Sequence, residues 1–174
     1  MKITALEEYG LRCLIQIARA SGNGISISEI SRKEGLSVQY VSKITSILRK
    51  SGLVESTRGL KGGYRLVKKP GELNLAEISH VLGGMMFDAD FCEAHTGKKR
   101  VCVHEEDCSV RSLWGIVYKY MTTILENLTL EDLFLSEENT KSKLMQVILD
   151  REKQLERENT LRLVGGSTTQ GKNG

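Results

Sequence analysis

The chain has 174 residues, 40% of them hydrophobic and 27% charged, with a formal net charge of only +3, values that exclude a collagen-like, a coiled-coil-only or a globally disordered chain. No stretch of about 18 consecutive apolar residues occurs, so no membrane-spanning helix is expected. The N-terminal residues also lack the apolar core and small-residue cleavage site of a secretion signal, so a cytoplasmic location is expected.

One proline and 5% aromatic residues argue against a many-turned all-β fold and for a mainly α one. Thr4-x-x-Glu7 is a capping box, followed by Leu6, Cys13, Leu14, Ile17 and Ala18 at helical spacing; Gly22-Asn23-Gly24 ends this first helix. Ser26-x-x-Glu29 opens a short second helix to about Lys33, and Glu34-Gly35-Leu36-Ser37 reads as a tight turn. A third helix is predicted over 38–51, with Val41, Ile44 and Leu48 inward and Gln39, Ser42, Lys43, Ser46 and Lys50 on the other side. Leu53-Val54 and Tyr64-Arg65-Leu66-Val67 are strand candidates flanking a glycine-rich hairpin loop over 56–63.

Pro70-Gly71 is a turn, and Asn74-x-x-Glu77 caps a fourth helix ending at Gly83-Gly84. Residues 85–107 have no clean period. A long helix is predicted from Cys108 to about Asn127, with Val110, Trp114, Val117, Met121, Ile124 and Leu128 on one stripe and Leu113 and Tyr120 widening it. An apolar face that wide exceeds what a surface helix needs, and packing against the chain's own domain or a dimer seam would account for it; the seam is the reading preferred here. Residues 137–163 read as a charged helix and 167–174 as a polar tail. The expected organisation is a winged helix-turn-helix domain over 1–83, a cysteine-bearing loop over 84–107, a dimerisation helix and turn over 108–135, and a C-terminal helix and tail over 136–174.

Helix, short helix, turn, helix and two-stranded hairpin is the winged helix-turn-helix layout. The charge agrees with it: residues 32–69 hold ten Lys or Arg against Glu34 and Glu55, a net +8 within a chain that totals +3. Such a basic stretch within a foldable segment suits a polyanion. Residues at the start of the second helix of the motif face base edges, here Ser37, Gln39, Tyr40, Ser42 and Lys43. Gln39 can pair bidentately with adenine and Lys43 can reach guanine or a phosphate. Arg58 and Lys61 on the glycine-rich wing suit a narrow minor groove. The winged layout also occurs in protein-binding modules, but with this charge double-stranded DNA is the expected partner. No phosphate loop, nucleophilic triad or carboxylate pair is recognisable, so neither catalysis nor a small-molecule substrate is expected, and His80 is isolated.

Of four cysteines, Cys13 sits in an apolar helical pattern, whereas Cys92, Cys102 and Cys108 cluster with gaps of nine and five residues. Three thiolates and one further ligand suit an iron–sulfur cluster or a tetrahedral zinc; unligated redox-active or idle thiols are the plainer reading. The helix start at Cys108 offers its positive end to a thiolate, and Lys98, Lys99 and Arg100 would offset negative charge. His95 and His104 are local candidates for the fourth ligand.

Leu36-Ser-Val-Gln-Tyr-Val-Ser-Lys43, Leu48-Arg-Lys-Ser-Gly-Leu-Val54 and Arg58-Gly-Leu-Lys-Gly-Gly-Tyr-Arg-Leu66 together resemble the Rrf2 family of bacterial transcription regulators, and within it the iron–sulfur-sensing members. The resemblance runs through Leu75-x-Glu77-Ile78 and the cysteine loop to Leu128-Thr129-Leu130-x-x-Leu133. It implies a homodimer formed through the long helix, base reading by Gln39, Tyr40 and Ser42, a minor-groove role for Arg58, and cluster ligation by Cys92, Cys102 and Cys108. The first gap is longer than the family's usual one, and Arg111 stands where some members carry a ligating histidine. Other members use an N-terminal carboxylate from the partner subunit, and Glu8 stands at that position. The expectation is a [2Fe–2S] rather than a [4Fe–4S] cluster, with Glu8 as fourth ligand and His95 or His104 as alternatives. The rival expectation is a cluster-free member of the family that responds to a metabolite or a partner protein.

Overall fold

The computed structural model describes residues 3–20, 24–57, 62–83 and 91–165. Gly22 and Asn23, the wing tip with Arg58 and Lys61, residues 84–90 and the polar tail over 167–174 lie outside the described residues.

Helix α1 (Ala5–Arg19) begins with the expected capping box: the Glu7 N–H donates to Thr4 Oγ1 at 3.2 Å and the Thr4 N–H donates to the Glu7 carboxylate at 2.8 Å. Helix α2 (Ile27–Glu34) repeats the device with Ser26 and Glu29. It stops at Gly35, whose φ of 67° lies in the left-handed region that side-chain-bearing residues resist. Ser37 caps α3 (Val38–Lys50), its Oγ accepting from the Tyr40 N–H at 3.2 Å. With φ/ψ settled locally, the three apolar stripes meet: Leu14, Ile17, Ile30, Val41, Ile44 and Leu48 are all buried. Burial of this kind is worth about 1.5–3 kcal/mol per large aliphatic side chain.

Strands β1 (Val54–Thr57) and β2 (Gly63–Leu66) pair antiparallel, Val54 opposite Leu66 and Thr57 opposite Gly63. A third partner joins them. The Ile25 N–H donates to the Tyr64 carbonyl at 3.0 Å and the Tyr64 N–H to the Ile25 carbonyl at 2.9 Å, which stitches the wing to the segment before α2. Gly63 makes this approach possible, because a Cβ there would run into the Ile25 backbone. Its lack of a side chain thus lets the wing pair with the segment before α2.

After a 3₁₀ turn at Pro70–Glu72, Asn74 caps α4 (Leu75–Leu82) by accepting from the Ala76 N–H at 2.8 Å. Residues 85–107 were expected to be irregular, yet a short helix, α5 (Phe91–Ala94), forms there. The long helix α6 (Ser109–Glu126) is followed by a 3₁₀ turn over Leu130–Phe134. The Leu75 N–H donates to the Leu128 carbonyl and the Leu130 N–H to the Leu73 carbonyl, both at 2.9 Å. This pairing draws Leu128 and Leu130 into the core beside Leu73 and Leu75. Periodicity had placed Leu128 on the seam stripe; α6 ends at Glu126, and backbone pairing beyond it turns Leu128 inward instead.

The chain divides into two compact units, Met1–Phe134 and Leu135–Gly174. The second holds α7 (Glu137–Gly165), a largely polar helix with a Gln146–Asp150 hydrogen bond of 2.9 Å along its surface. Among the described residues no helix is long and apolar enough to cross a membrane. The expected mainly α, winged helix-turn-helix architecture is the one observed.

Candidate functional site

Helix α3 turns one face to the core and the opposite face outward. Gln39, Ser42 and Lys43 are exposed at i, i+3 and i+4, so they share a single surface patch. Arg49 and Lys50 extend the positive charge along the same helix. Ser37 lies at the start of the patch, but its hydroxyl oxygen is engaged as the helix cap. Tyr40 is half-buried, its ring meeting Tyr9 of α1 edge to face with centroids 5.9 Å apart. It therefore anchors α3 to α1 as well as flanking the patch. Sequence reasoning overlooked Val38, which is 50% exposed on the first turn of α3 and could meet a thymine methyl. The available signal was an outward β-branched apolar residue beside Gln39.

A network that the sequence does not announce fixes α1 against the α2–α3 turn. Arg12 Nε donates to Glu34 Oε2 and Gln16 Nε2 to Glu34 Oε1, each at 2.6 Å, and the Arg12 guanidinium lies 5.5 Å from the centre of the Tyr9 ring. Glu34 is thus a paired acid inside the basic stretch. Arg65 pairs across the strands with Glu55 at 2.7 Å, and Lys68 approaches Glu77 at 3.6 Å. Lys43, Arg49 and Lys50 face solvent on α3, while Arg58 and Lys61 fall outside the described residues.

The second candidate region is the cysteine loop. Cys92, Cys102 and Cys108 are half-buried free thiols, and all three line one cavity of about 340 Å³. Glu93, His104, Glu105 and Arg111 line it as well. Cys92 comes from α5, Cys102 from a turn closed by the Glu105 N–H on the Cys102 carbonyl at 3.2 Å, and Cys108 from the N-cap of α6. Cys108 Sγ accepts from the Arg111 N–H at 3.3 Å, while Arg111 Nη1 donates to the Glu105 carbonyl at 2.9 Å. Among the described residues no three of these donors stand in metal-ligating geometry. The donor set of soft thiolates around a shared cavity nevertheless fits an iron–sulfur core or zinc. Glu8 is not among the residues lining the cavity; it is exposed on α1, with Arg12 at 4.0 Å.

Helix α6 leads away from this pocket with no residue of its own buried. Val110 (59% exposed), Leu113 (56%) and Ile116 (70%) leave its first half apolar on several sides. Its end is held by Asn74 Nδ2, which donates to the Glu126 carbonyl at 2.6 Å.

Comparison with known proteins places this geometry in context. The sequence profile of the Rrf2 family, described as an iron-dependent transcriptional regulator, matches residues 3–136. Protein rrf2 of Nitratidesulfovibrio vulgaris is 34% identical over 134 residues, spanning 76% of this chain and 87% of its own. The HTH-type transcriptional regulator IscR of Cronobacter sakazakii is 31% identical over 139 residues, spanning 79% of this chain and 83% of its own. Among solved structures, T. potens IscR superposes with a TM-score of 0.60 at 29% identity, over 77% of this chain and 86% of its own. CymR, the global cysteine regulator of B. subtilis, gives 0.61 at 31% identity, over 76% of this chain and 95% of its own. The profile match ends at residue 136, close to the Phe134 boundary of the first unit, so α7 lies beyond it.

Proposed function

The chain belongs to the Rrf2 family of transcriptional regulators, DNA-binding proteins rather than enzymes, and from that premise we propose a homodimeric regulator whose operator binding follows the state of a [2Fe–2S] centre held by Cys92, Cys102 and Cys108. In this reading Gln39, Ser42 and Lys43, with Ser37 and Tyr40 at the margin, enter the major groove. Arg58 and Lys61 of the wing reach the adjacent minor groove. The exposed apolar start of α6, which includes Leu113 and Ile116, pairs with its counterpart in a second copy and sets two winged units about 34 Å apart, or a multiple of that, along the duplex. The loop over 84–107 is the sensor and 108–135 the dimerisation segment.

The observation that carries the proposal is the double role of Cys108. Its thiol lines the cysteine pocket and also caps α6. A bound cluster would supply a centre that responds to redox state, iron supply or nitric oxide. A ligand bond at Cys108 Sγ would fix the direction of the same sulfur that accepts from the Arg111 N–H, so the state of the pocket changes how α6 begins. Because α6 is the proposed seam, the separation of the two DNA-binding units changes with it. Such a switch works only if the two states differ in DNA affinity, and a coupling of about 1–3 kcal/mol corresponds to roughly 5–150-fold in operator affinity.

The test is anaerobic purification followed by iron and sulfide analysis and Mössbauer spectroscopy. Coloured protein with equal iron and acid-labile sulfide and the doublets of a [2Fe–2S] centre is the expected result. Colourless, iron-free protein contradicts the cluster. That outcome favours a second reading, supported by the three free thiols and the likeness to CymR: a cluster-free regulator responding to a metabolite or partner protein.

A further inference from the structure

We infer that His104, from the same chain, is the fourth protein ligand of the cysteine pocket. The inference rests on the cluster reading above and adds the donor that three thiolates leave missing. Of the chain's three histidines, His104 alone lines the cavity shared by Cys92, Cys102 and Cys108. His80 lies on α4, and His95 is not among the lining residues.

The other polar groups lining the pocket fit the role less well. Arg100 and Arg111 carry no lone pair to donate. Arg111 is also committed to the Glu105 carbonyl at 2.9 Å. Glu93 and Glu105 offer hard carboxylate oxygens and would add a fourth negative charge, whereas a neutral imidazole suits iron and adds none. His104 is exposed and has no hydrogen bond or ion pair among the described residues, so its ring is free to turn inward.

Chain geometry favours it as well. His104 sits in the turn that the Glu105 N–H closes on the Cys102 carbonyl, two residues from Cys102 and four from Cys108. Closing a chelate over so few residues costs little loop entropy. Glu8, in contrast, belongs to a different element and stands near Arg12.

The experiment uses the full chain, reconstituted anaerobically with ferrous iron and sulfide, reduced with dithionite and read by pulsed EPR for ligand nitrogen coupling. Wild-type protein is expected to show an imidazole nitrogen coupling. His104→Cys should keep the cluster but lose that coupling, His104→Ala should lose most of its iron, and Glu8→Ala and His95→Ala should match the wild type. Circular dichroism confirms that each variant folds. A coupling that persists in His104→Cys, or a wild-type cluster with none, overturns the inference alone. Cluster loss confined to Glu8→Ala does the same and assigns the ligand to Glu8. Wild-type protein that takes up no iron overturns the cluster reading itself, and with it this ligand assignment.

Discussion

Cys13 and Cys108 place one side chain in two opposite settings. Cys13 is fully buried on the inner face of α1, and burial pushes its thiol up to about 11, helped by the nearby Glu34 carboxylate. There it is a small hydrophobe that holds its proton. Cys108 is half-buried at the edge of an open cavity, heads a helix and already accepts a backbone N–H. The contrast extends to the packing around each. Beside Cys13 the contacts between α1 and α4 are so close that a Cβ on Gly10 would overlap the Leu82 side chain, whereas the three loop thiols border about 340 Å³ of open space. One region is built to stay fixed while the other has room for a group to bind and leave.

The largest effect that sharpens this contrast comes from removing the loop thiols together. Cys92→Ala, Cys102→Ala and Cys108→Ala in one chain should abolish visible absorbance and shift operator affinity by roughly 5–150-fold from the cluster-bound form. Cys13→Ala should leave both unchanged in titrations on the same DNA. Gly10→Ala probes the fixed region: overpacking against Leu82 should cost about 1–3 kcal/mol in urea denaturation, with the spectrum of the pocket unaltered. On the outer face of that unit, Lys43→Ala should lower the salt slope of operator binding by about 0.9 per protomer, about 1.8 for the dimer, in cluster-bound and cluster-free protein alike.

Three smaller effects concern the accessibility of the thiols and the protonation of Cys13 and Glu29. Iodoacetamide at neutral pH should label Cys92, Cys102 and Cys108 in cluster-free native protein and spare Cys13, as peptide mass spectrometry would show. The raised thiol of Cys13 adds stability that is complete below about 9, the ordinary thiol value, and is lost as pH rises towards about 11, because the unfolded chain releases that proton first. Cys13→Ala should flatten this part of the stability curve. Glu29 behaves oppositely: hydrogen bonds from the backbone N–H and then the hydroxyl of Ser26 hold its carboxyl below the usual 4.5. Its contribution is present above that value and fades as pH falls below it, and Ser26→Ala should weaken the dependence.

The fixed region was the more legible one in the sequence. Thr4-x-x-Glu7, Ser26-x-x-Glu29 and Asn74 mark helix starts through local chemistry, and the stripe of Val41, Ile44 and Leu48 declares its buried face by spacing alone. What could not be read depends on partners distant in sequence. The Ile25–Tyr64 bridge is too short to leave a strand pattern. The contacts of Arg12 and Gln16 with Glu34 join residues about twenty positions apart, and no local rule anticipates them. Leu128 kept helical spacing from Ile124 and so passed for a seam residue, although backbone pairing with Leu75 decides where it goes. In the cysteine loop the residue types suggested ligand chemistry, but without periodicity the sequence could not show that Cys92, Cys102, Cys108 and His104 border one cavity.

The most direct measurement is the operator dissociation constant of one anaerobic preparation before and after cluster removal, on the same DNA at fixed salt, with the three-alanine variant alongside. The account predicts a difference of roughly 5–150-fold between the two wild-type forms and none in the variant. Equal constants for the two wild-type forms would contradict it.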